Sequence, residues 1–215
     1  MSAEDRLRED LCFWARSLFA RGLTGGGSGN ISARTPDGGL LVTPTGASFG
    51  RLDPGRLSRL DAAGRHVAGD PPTKEMPLHA AFHDTRPGTG AVVHLHSTHA
   101  VALSMLPDLD PEDAVPPLTP YLVMRVGRVA LLPFFVPGDA AMAAAVRALE
   151  GRRAAVLLAH HGPVVAAADL EAAVFAMEEL EETARLALLT RGTGARPLSP
   201  DRIAAIATRF GLERD

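Results

Sequence analysis

The sequence predicts an α/β domain built on a central, largely antiparallel mixed sheet. Apolar residues at helical spacing alternate along the chain with short apolar runs that are typical of buried strands. Two of these runs, 154–159 and 164–167, are too close in sequence for a parallel crossover, so they predict an antiparallel hairpin. A doubly wound nucleotide-binding fold is disfavoured because no strand leads into a G-x-G-x-x-G pattern. The length of 215 residues fits one domain over residues 1–215.

The composition argues against several classes of partner. A formal net charge of −3 gives no electrostatic reason to bind nucleic acid or a membrane surface. No apolar run reaches the roughly 18 residues of a membrane span, and the first residues lack the pattern of a secretory signal. The single cysteine, Cys12, cannot form an internal disulfide and favours a reducing compartment. We therefore expect a cytoplasmic globular protein.

The first helix and the loop after it already contain a candidate ligand site. Apolar residues at helical spacing predict a helix over 3–20, which Gly22 ends. Four glycines between positions 25 and 29 allow backbone N–H groups to approach an anion closely. The alternative is a flexible hairpin tip. Asn30 and Ser32 place polar side chains just after the glycines, which favours a ligand.

A second turn has a similar composition. A short strand over 40–43 is followed by the turn T-P-T-G at 43–46, with Thr45 and Gly46 at its tip. A threonine hydroxyl beside a glycine amide can hold a small anion. The signal is weak by itself, because most such turns serve only to reverse the chain.

The segment 71–84 predicts a helix from about residue 76 with polar residues at its start. The N-terminus of a helix offers free N–H groups and partial positive charge, so Thr73 and Lys74 suit a phosphate there. Glu75 places a carboxylate at the same point. Glu75, His79 and His83 also fall on one helical face, which makes them a rival metal-ligand set.

The histidines of the apolar runs predict a metal centre. His94 and His96 follow a buried strand and are two residues apart, so their side chains point to the same side. A third ligand would come from the tip of the 154–167 hairpin, where spacing alone does not decide between His160 and His161. Three imidazoles with one open position are the pattern of a catalytic divalent ion, with zinc favoured over magnesium or calcium.

The remaining chain predicts scaffold elements. We expect helices over about 99–105, 140–149, 169–190 and 200–210, a strand over 129–133 and a surface loop over 107–120. Asp139 and Asp169 are expected to cap their helices. The acidic run 178–182 is expected to be a solvated helix face. Segment 120–127 contains Tyr121, the only tyrosine.

Taken together, five motifs resemble the class II aldolase/adducin family, over about residues 5–190. They occur in the family's order: S-G-N-I-S at 28–32, T-P-T-G at 43–46, T-K-E at 73–75, H-L-H at 94–96 and H-H-G at 160–162. The resemblance implies a three-layer α/β/α fold. It also implies that the histidine directly before the glycine, His161, is the third metal ligand, although His160 stands where the family usually has asparagine.

The resemblance further implies roles for individual residues. It implies substrate phosphate contacts at Asn30, Thr45, Gly46, Thr73 and Lys74.

It also implies that Glu75 is the catalytic acid/base and a possible fourth metal ligand. Tyr121 is a candidate proton donor across a subunit boundary, the alternative being a tyrosine packed in an interface. The family is commonly a homotetramer with active sites between subunits.

Lys74 departs from the family's aldolases, which usually have Ser-Ser-Glu, and fits the subgroup that decarboxylates 3-oxo-tetronate 4-phosphates. The expected activity is a Zn²⁺-dependent decarboxylation, with Mn²⁺ or Co²⁺ as alternatives, that passes through a stabilised enediolate to dihydroxyacetone phosphate and CO₂. The alternatives are a sugar-phosphate aldolase of the L-fuculose-phosphate type and a non-catalytic module like the adducin head.

Overall fold

The fold is an eight-stranded sheet covered on both faces by helices. The computed structural model describes residues 1–212. The helices are α1 (Ala3–Ala20), α2 (Met76–Thr85), α3 (Thr98–Leu103), α4 (Pro120–Arg125), α5 (Ala140–Ala148), α6 (Leu170–Thr190) and α7 (Pro200–Phe210). The strands are β1 (Asn30–Arg34), β2 (Leu40–Val42), β3 (Ser58–Leu60), β4 (His66–Ala68), β5 (Ala91–His94), β6 (Val129–Leu132), β7 (Ala155–Leu158) and β8 (Gly162–Ala167).

The strand order confirms the predicted mixed and largely antiparallel sheet. The order is β4-β3-β2-β1-β5-β8-β7-β6, and all neighbours are antiparallel except the parallel pair β6 and β7. The predicted hairpin is β7 and β8, in which Leu158 pairs with Gly162. In the centre of the sheet, His94 of β5 pairs with Asn30 of β1 on one side and Val164 of β8 on the other. This register brings the end of the glycine-rich loop, the end of the histidine strand and the hairpin turn together at the same end of the central strands.

Alternating side chains of the central strands pack into two separate hydrophobic cores, one on each face of the sheet, as a three-layer fold requires. Val93 and Leu157 are fully buried in a core that also contains residues of α1, α3, α4 and α6. Val92 and Val156, one residue before each, are fully buried against α2 and α5. Burial on both faces explains why these strands are continuous apolar runs instead of alternating ones. The three-layer α/β/α arrangement is therefore confirmed.

Helix boundaries follow the predicted caps. Asp139 and Asp169 accept hydrogen bonds from Ala141 and Ala172 at the starts of α5 and α6. No element was predicted for 120–127; it contains α4, which Thr119 caps. Within residues 1–212, no helix combines the length and hydrophobicity needed to cross a membrane.

One alternative and one expectation about polar segments are wrong. The glycine-rich loop joins α1 to β1, so the alternative of a hairpin tip does not hold. The acidic run 178–182 is not simply a solvated face, because Glu181 is turned inward. Its carboxylate accepts hydrogen bonds from the backbone N–H groups of His99 and Ala100, both at 2.9 Å, and so caps α3. The free N–H groups at a helix start favour such a carboxylate.

Candidate metal centre and active site

Three histidine side chains converge where β5 ends and the β7–β8 hairpin turns. His94 is the last residue of β5, and His96 follows two residues later with its ring on the same side. His161 lies in the hairpin turn, directly before Gly162. The predicted trio His94, His96 and His161 is thus brought together by two neighbouring elements of one sheet.

The spacing of the three rings suits a single ion. The Nε2 atom of His94 is 3.2 Å from that of His96 and 3.4 Å from that of His161, and the remaining pair is 3.1 Å apart. A tetrahedral ion with bonds of 2.0–2.1 Å to imidazole nitrogens holds those nitrogens about 3.3 Å apart. The three lone pairs therefore already stand at the separation that a shared ion requires.

The protonation of His94 is fixed by its other ring nitrogen. Its Nδ1 lies 2.8 Å from the carbonyl oxygen of Pro163, which can only accept, so Nδ1 carries the proton and donates it. Burial, opposed by Glu75 and reinforced by His161, lowers the pKa of His94 to about 4. The ring is therefore neutral near pH 7, with an unprotonated Nε2 directed at the centre, as in most metal-bound histidines.

Glu75 completes the cluster from the opposite element. It is the N-cap residue of α2, where its backbone N–H donates to the Thr73 hydroxyl at 3.2 Å. Burial alone would raise the pKa of Glu75, but the neighbouring His94 ring and a hydrogen bond from Asn30 act in the opposite direction, and the net result is a lowered pKa. Its Oε1 is buried with no hydrogen-bond partner and lies 3.4 Å from Nε2 of His161.

This donor set fits a divalent transition metal. Three imidazole nitrogens and one carboxylate oxygen lie within 4.8 Å of one another. An ion at the centre would satisfy the buried Oε1, which otherwise has no hydrogen-bond partner. His96 is exposed while His94 is fully buried, so the centre is open to solvent on one side and a substrate can reach it.

The local backbone explains why glycine follows His161. Gly162 has φ +150°, and a side-chain carbon there would lie 2.2 Å from the carbonyl oxygen of Leu95. The hairpin can therefore approach the end of β5 only with glycine at this position. His160, with φ +57° at the tip of the turn, is exposed and is not part of the cluster. Of the two histidines that spacing left open, the structure thus places His161 in the cluster.

The segments predicted to hold phosphate lie side by side. The backbone N–H of Thr45 donates to the carbonyl of Pro71, and that of Thr73 donates to the carbonyl of Thr43. A side-chain carbon on Gly27 would come within 2.9 Å of the Gly46 carbonyl oxygen, so the glycine-rich loop touches the T-P-T-G turn. These contacts bring the three segments next to Glu75, at one end of the metal cluster.

The individual side chains in these segments differ in what they can still bind. Lys74, Thr45 and Gly46 are exposed, whereas Thr73 is buried. Asn30 is buried, and its amide already contacts two side chains. One N–H donates to Glu75, and the carbonyl oxygen contacts His79, so one N–H remains for a substrate.

The rival metal-ligand set of Glu75, His79 and His83 is wrong, because the three side chains do not converge on one point. Glu75 faces the three other histidines, while His79 and His83 both contact the hydroxyl of Ser32, at 2.8 and 3.0 Å. Among the described residues, the groups that could share an ion do not include His79 or His83. The helical spacing correctly predicts that His79 and His83 share one face, but no local pattern indicates their partner on β1, Ser32.

Tyr121 is not brought to the cluster within one chain. It lies on α4 with 55% of its surface exposed, beside Arg125 and Phe175. The Arg125 guanidinium lies over the Phe175 ring, 5.5 Å from its centroid. Any part that Tyr121 plays at a metal centre would have to be at the centre of another subunit.

Comparison with known proteins gives concordant results. A family model described as the Class II Aldolase and Adducin N-terminal domain matches residues 9–188. A 3-oxo-tetronate 4-phosphate decarboxylase from Cupriavidus necator is 47% identical over 204 residues, 94% of each chain. An L-fuculose phosphate aldolase from Escherichia coli is 33% identical over 193 residues, 88% of this chain and 86% of the relative.

A solved structure extends the similarity to the whole fold. The crystal structure of YgbL from Escherichia coli, whose description leaves open aldolase, epimerase or decarboxylase activity, superposes with a TM-score of 0.93. It is 44% identical, and the match covers 95% of this chain and 99% of that one.

Proposed function

Because this chain belongs to the class II aldolase and adducin family, we propose that it is a metal-dependent carboxy-lyase acting on a 3-oxo-tetronate 4-phosphate. Five relatives that are 44–47% identical over at least 90% of this chain carry that activity in their names. The relatives named as L-fuculose phosphate aldolases are more distant, at 33% identity. The products are dihydroxyacetone phosphate and CO₂.

The observation that carries the proposal is the cluster of His94, His96, His161 and Glu75 around one point. We assign these four side chains as ligands of Zn²⁺, with Mn²⁺ or Co²⁺ as alternatives. When bound, such an ion supplies Lewis-acid stabilisation of the negative charge that develops on oxygen as the carbon–carbon bond breaks.

The residues of the chain then have separate tasks. Breaking the C1–C2 bond releases CO₂ and leaves its electron pair in an enediolate over C2 and C3. Water supplies one proton to C2, with the Glu75 carboxylate orienting or relaying it, and this protonation yields the hydroxymethyl ketone of the product. The substrate phosphate is bound by the remaining N–H of Asn30 together with Thr45, Gly46, Thr73 and Lys74. This remote contact orients the substrate over the centre.

The second candidate function is a sugar-phosphate aldolase. The same cluster would stabilise the same enediolate, and the relatives at 33% identity are named for that reaction. In the aldolase reaction Glu75 would have to remove a hydroxyl proton before the bond breaks, whereas decarboxylation needs no such removal. The two functions therefore differ in the product that leaves, CO₂ or an aldehyde.

We further propose a cytoplasmic homotetramer whose active sites lie between subunits. The exposed Tyr121, which lies away from the cluster of its own chain, supports a site completed by a neighbouring subunit. In that arrangement Tyr121 donates a proton to the substrate bound at the adjacent centre. Sedimentation analysis of the metal-loaded protein tests the assembly, and a monomer at micromolar concentration would contradict it.

Two adjacent histidines offer a matched test of the function. The metal-loaded protein is given a 3-oxo-tetronate 4-phosphate and, separately, L-fuculose 1-phosphate, and CO₂ and aldehyde are measured. We expect CO₂ from the first substrate at least 100 times faster than aldehyde from the second. His161→Asn should abolish CO₂ release, whereas His160→Asn should retain it within about threefold, since asparagine tolerates a positive φ. Faster aldehyde release would support the aldolase instead.

A further inference from the structure

A buried chain of hydrogen bonds runs from the metal cluster to the far end of β1. Its members alternate between α2, counted from its N-cap residue, and strand β1, and most are inaccessible to solvent. In order, they are Glu75, Asn30, His79, Ser32, His83 and Arg34. Ser32 and His79 are fully buried, and His83 is 7% exposed. Such a chain links a site carboxylate to a cation five side chains away.

Four of the five distances are those of ordinary hydrogen bonds, and the contact between Asn30 and His79 is shorter. The Asn30 Nδ2 atom is 2.7 Å from Glu75 Oε2, and the Asn30 Oδ1 atom is 2.5 Å from His79 Nε2. The Ser32 hydroxyl is 2.8 Å from His79 Nδ1 and 3.0 Å from His83 Nε2. At the end of the chain, His83 Nδ1 is 3.2 Å from Arg34 Nη2.

The two ends fix the direction in which every bond is donated. A guanidinium only donates, so His83 accepts from Arg34 at Nδ1 and, as a neutral ring, donates from Nε2 to Ser32. Ser32 then donates to His79 Nδ1. His79 donates from Nε2 to the carbonyl oxygen of Asn30, whose N–H donates to Glu75. The chain thus ends on a carboxylate oxygen, which is a good acceptor.

The reverse direction conflicts with the groups at both ends. It would turn the Asn30 carbonyl towards Glu75 Oε2, so that oxygen would face oxygen unless Glu75 carried a proton. It would also place an N–H of His83 against the N–H groups of Arg34. Arg34 is itself held in place, because its Nε donates to the carbonyl oxygen of Thr89. The alternative acceptor for a reversed His83 is that same Thr89 carbonyl.

Both histidines are suited to this arrangement because they are uncharged near neutral pH. Burial lowers the pKa of His79 far below its ordinary value. Burial and the nearby Arg34 lower the pKa of His83 to about 4, against the opposing effect of the Thr89 carbonyl. A neutral imidazole has one donor and one acceptor, so each ring can continue the chain in only one sense.

We propose that His79, held by Ser32, His83 and Arg34, is a positioning residue for Glu75. By donating to the Asn30 carbonyl, His79 fixes which way the amide faces, and the amide N–H then holds Oε2 of Glu75. The other oxygen, Oε1, is left free to face the three histidines of the cluster. The importance of this placement for turnover rests on the proposed function, but the placement itself does not.

The first test reads the direction of the chain without any substrate. Protein labelled with ¹⁵N in its histidines is studied at pH 7.5, and the proton on each ring is located by two-bond nitrogen–hydrogen correlation. We expect His79 and His83 to carry their protons on Nε2. A proton on Nδ1 of either ring would overturn the proposal, and at His83 it would indicate donation to Thr89.

The second test uses variants that keep or remove one donor. His79→Gln retains an N–H near the position of Nε2, whereas His79→Leu fills the space without a donor. We expect His79→Leu to bind Co²⁺ at least tenfold more weakly than the wild type, a loss typical of residues that support metal ligands from outside the coordination sphere. The Co²⁺ affinity of His79→Gln should lie within about threefold of that of the wild type. Equal loss in both variants would show that His79 is needed only for packing.

A third variant covers the case in which His79→Leu does not fold. Ser32→Ala breaks the chain one step further out, and Thr183→Val removes an equally buried hydroxyl on α6 that lies outside it. Ser32→Ala should weaken Co²⁺ binding several-fold while Thr183→Val leaves it unchanged, and equal effects would contradict the proposal. If His79 and His83 carry their protons on Nε2 and the variants bind Co²⁺ as expected, but the wild type releases no CO₂, the proposed function is refuted and the positioning role stands.

Discussion

The substitution Gly162→Ala tests how closely the hairpin must approach the histidine strand. The new methyl carbon would lie 2.2 Å from the carbonyl oxygen of Leu95 and 3.3 Å from Cα of His96. Ordinary contact begins near 3.4 Å, so the hairpin and β5 must separate by about 1 Å. The positive φ adds backbone strain. Overpacking and strain each cost about 1–3 kcal/mol, so we expect a loss of about 4 kcal/mol in unfolding free energy.

The same movement should weaken the metal centre. His161 immediately precedes Gly162, and metal–ligand distances are tolerant only to about 0.2 Å. A displacement several times larger should lower Co²⁺ affinity at least tenfold. Urea unfolding of the metal-free protein measures the stability, and titration with Co²⁺ followed by its visible absorption measures the affinity.

Gly127→Ala is the matched control for this substitution. Gly127 also has a positive φ, +74°, but a side-chain carbon there would meet nothing within 4 Å. It should therefore show only the cost of the backbone conformation, about 1–2 kcal/mol, and normal Co²⁺ binding. If Gly162→Ala proved no less stable than Gly127→Ala and bound Co²⁺ like the wild type, the reasoning about the hairpin would be refuted.

Three further predictions concern the scaffold. Asp169→Ala removes the cap of α6 and should cost about 1 kcal/mol in urea unfolding, with Asp169→Asn recovering most of it; no loss in the alanine variant would contradict the capping role. Glu181→Gln should cost about 1–2 kcal/mol because a neutral amide cannot replace a carboxylate that accepts two backbone N–H groups of α3, and an unchanged melting temperature would show otherwise. Burial and Arg34 lower the pKa of His83 to about 4 from an ordinary value of 6.5, so its contribution is complete above pH 6.5 and is lost as the pH falls towards 4. The metal-free protein should therefore lose about 3 kcal/mol from His83 alone between pH 7 and 4, and stability that stays flat or rises would refute this.

The convergence of the clustered histidines could be predicted in large part because local rules place them. Strand alternation puts His94 and His96 on one side, and the strand–turn–strand pattern brings His160 and His161 back to the neighbouring strand. Only the family resemblance selects His161 from that pair. The glycine after His161 signals a close approach of two backbones, which the position of Leu95 confirms. These inferences need only the period of a strand and the length of a turn.

The rest of the site depends on pairings that the sequence does not display. Asn30 meets Glu75 because β1 pairs with β5 while α2 packs against that face of the sheet, and 45 residues separate the two side chains. His79 was correctly placed on a helix, but its partner Ser32 is 47 residues earlier in the chain. The inward turn of Glu181 had no local signal either, because a run of acidic residues on a helix usually faces water.

The proposed function depends on one divalent ion held by His94, His96, His161 and Glu75. The most direct measurement is anomalous diffraction at the zinc absorption edge from crystals of the zinc-loaded protein. We expect one strong peak per chain, about 2.0–2.1 Å from the Nε2 atoms of the three histidines, with a Glu75 oxygen beside it. An empty centre, or a zinc ion held by other residues, would contradict it.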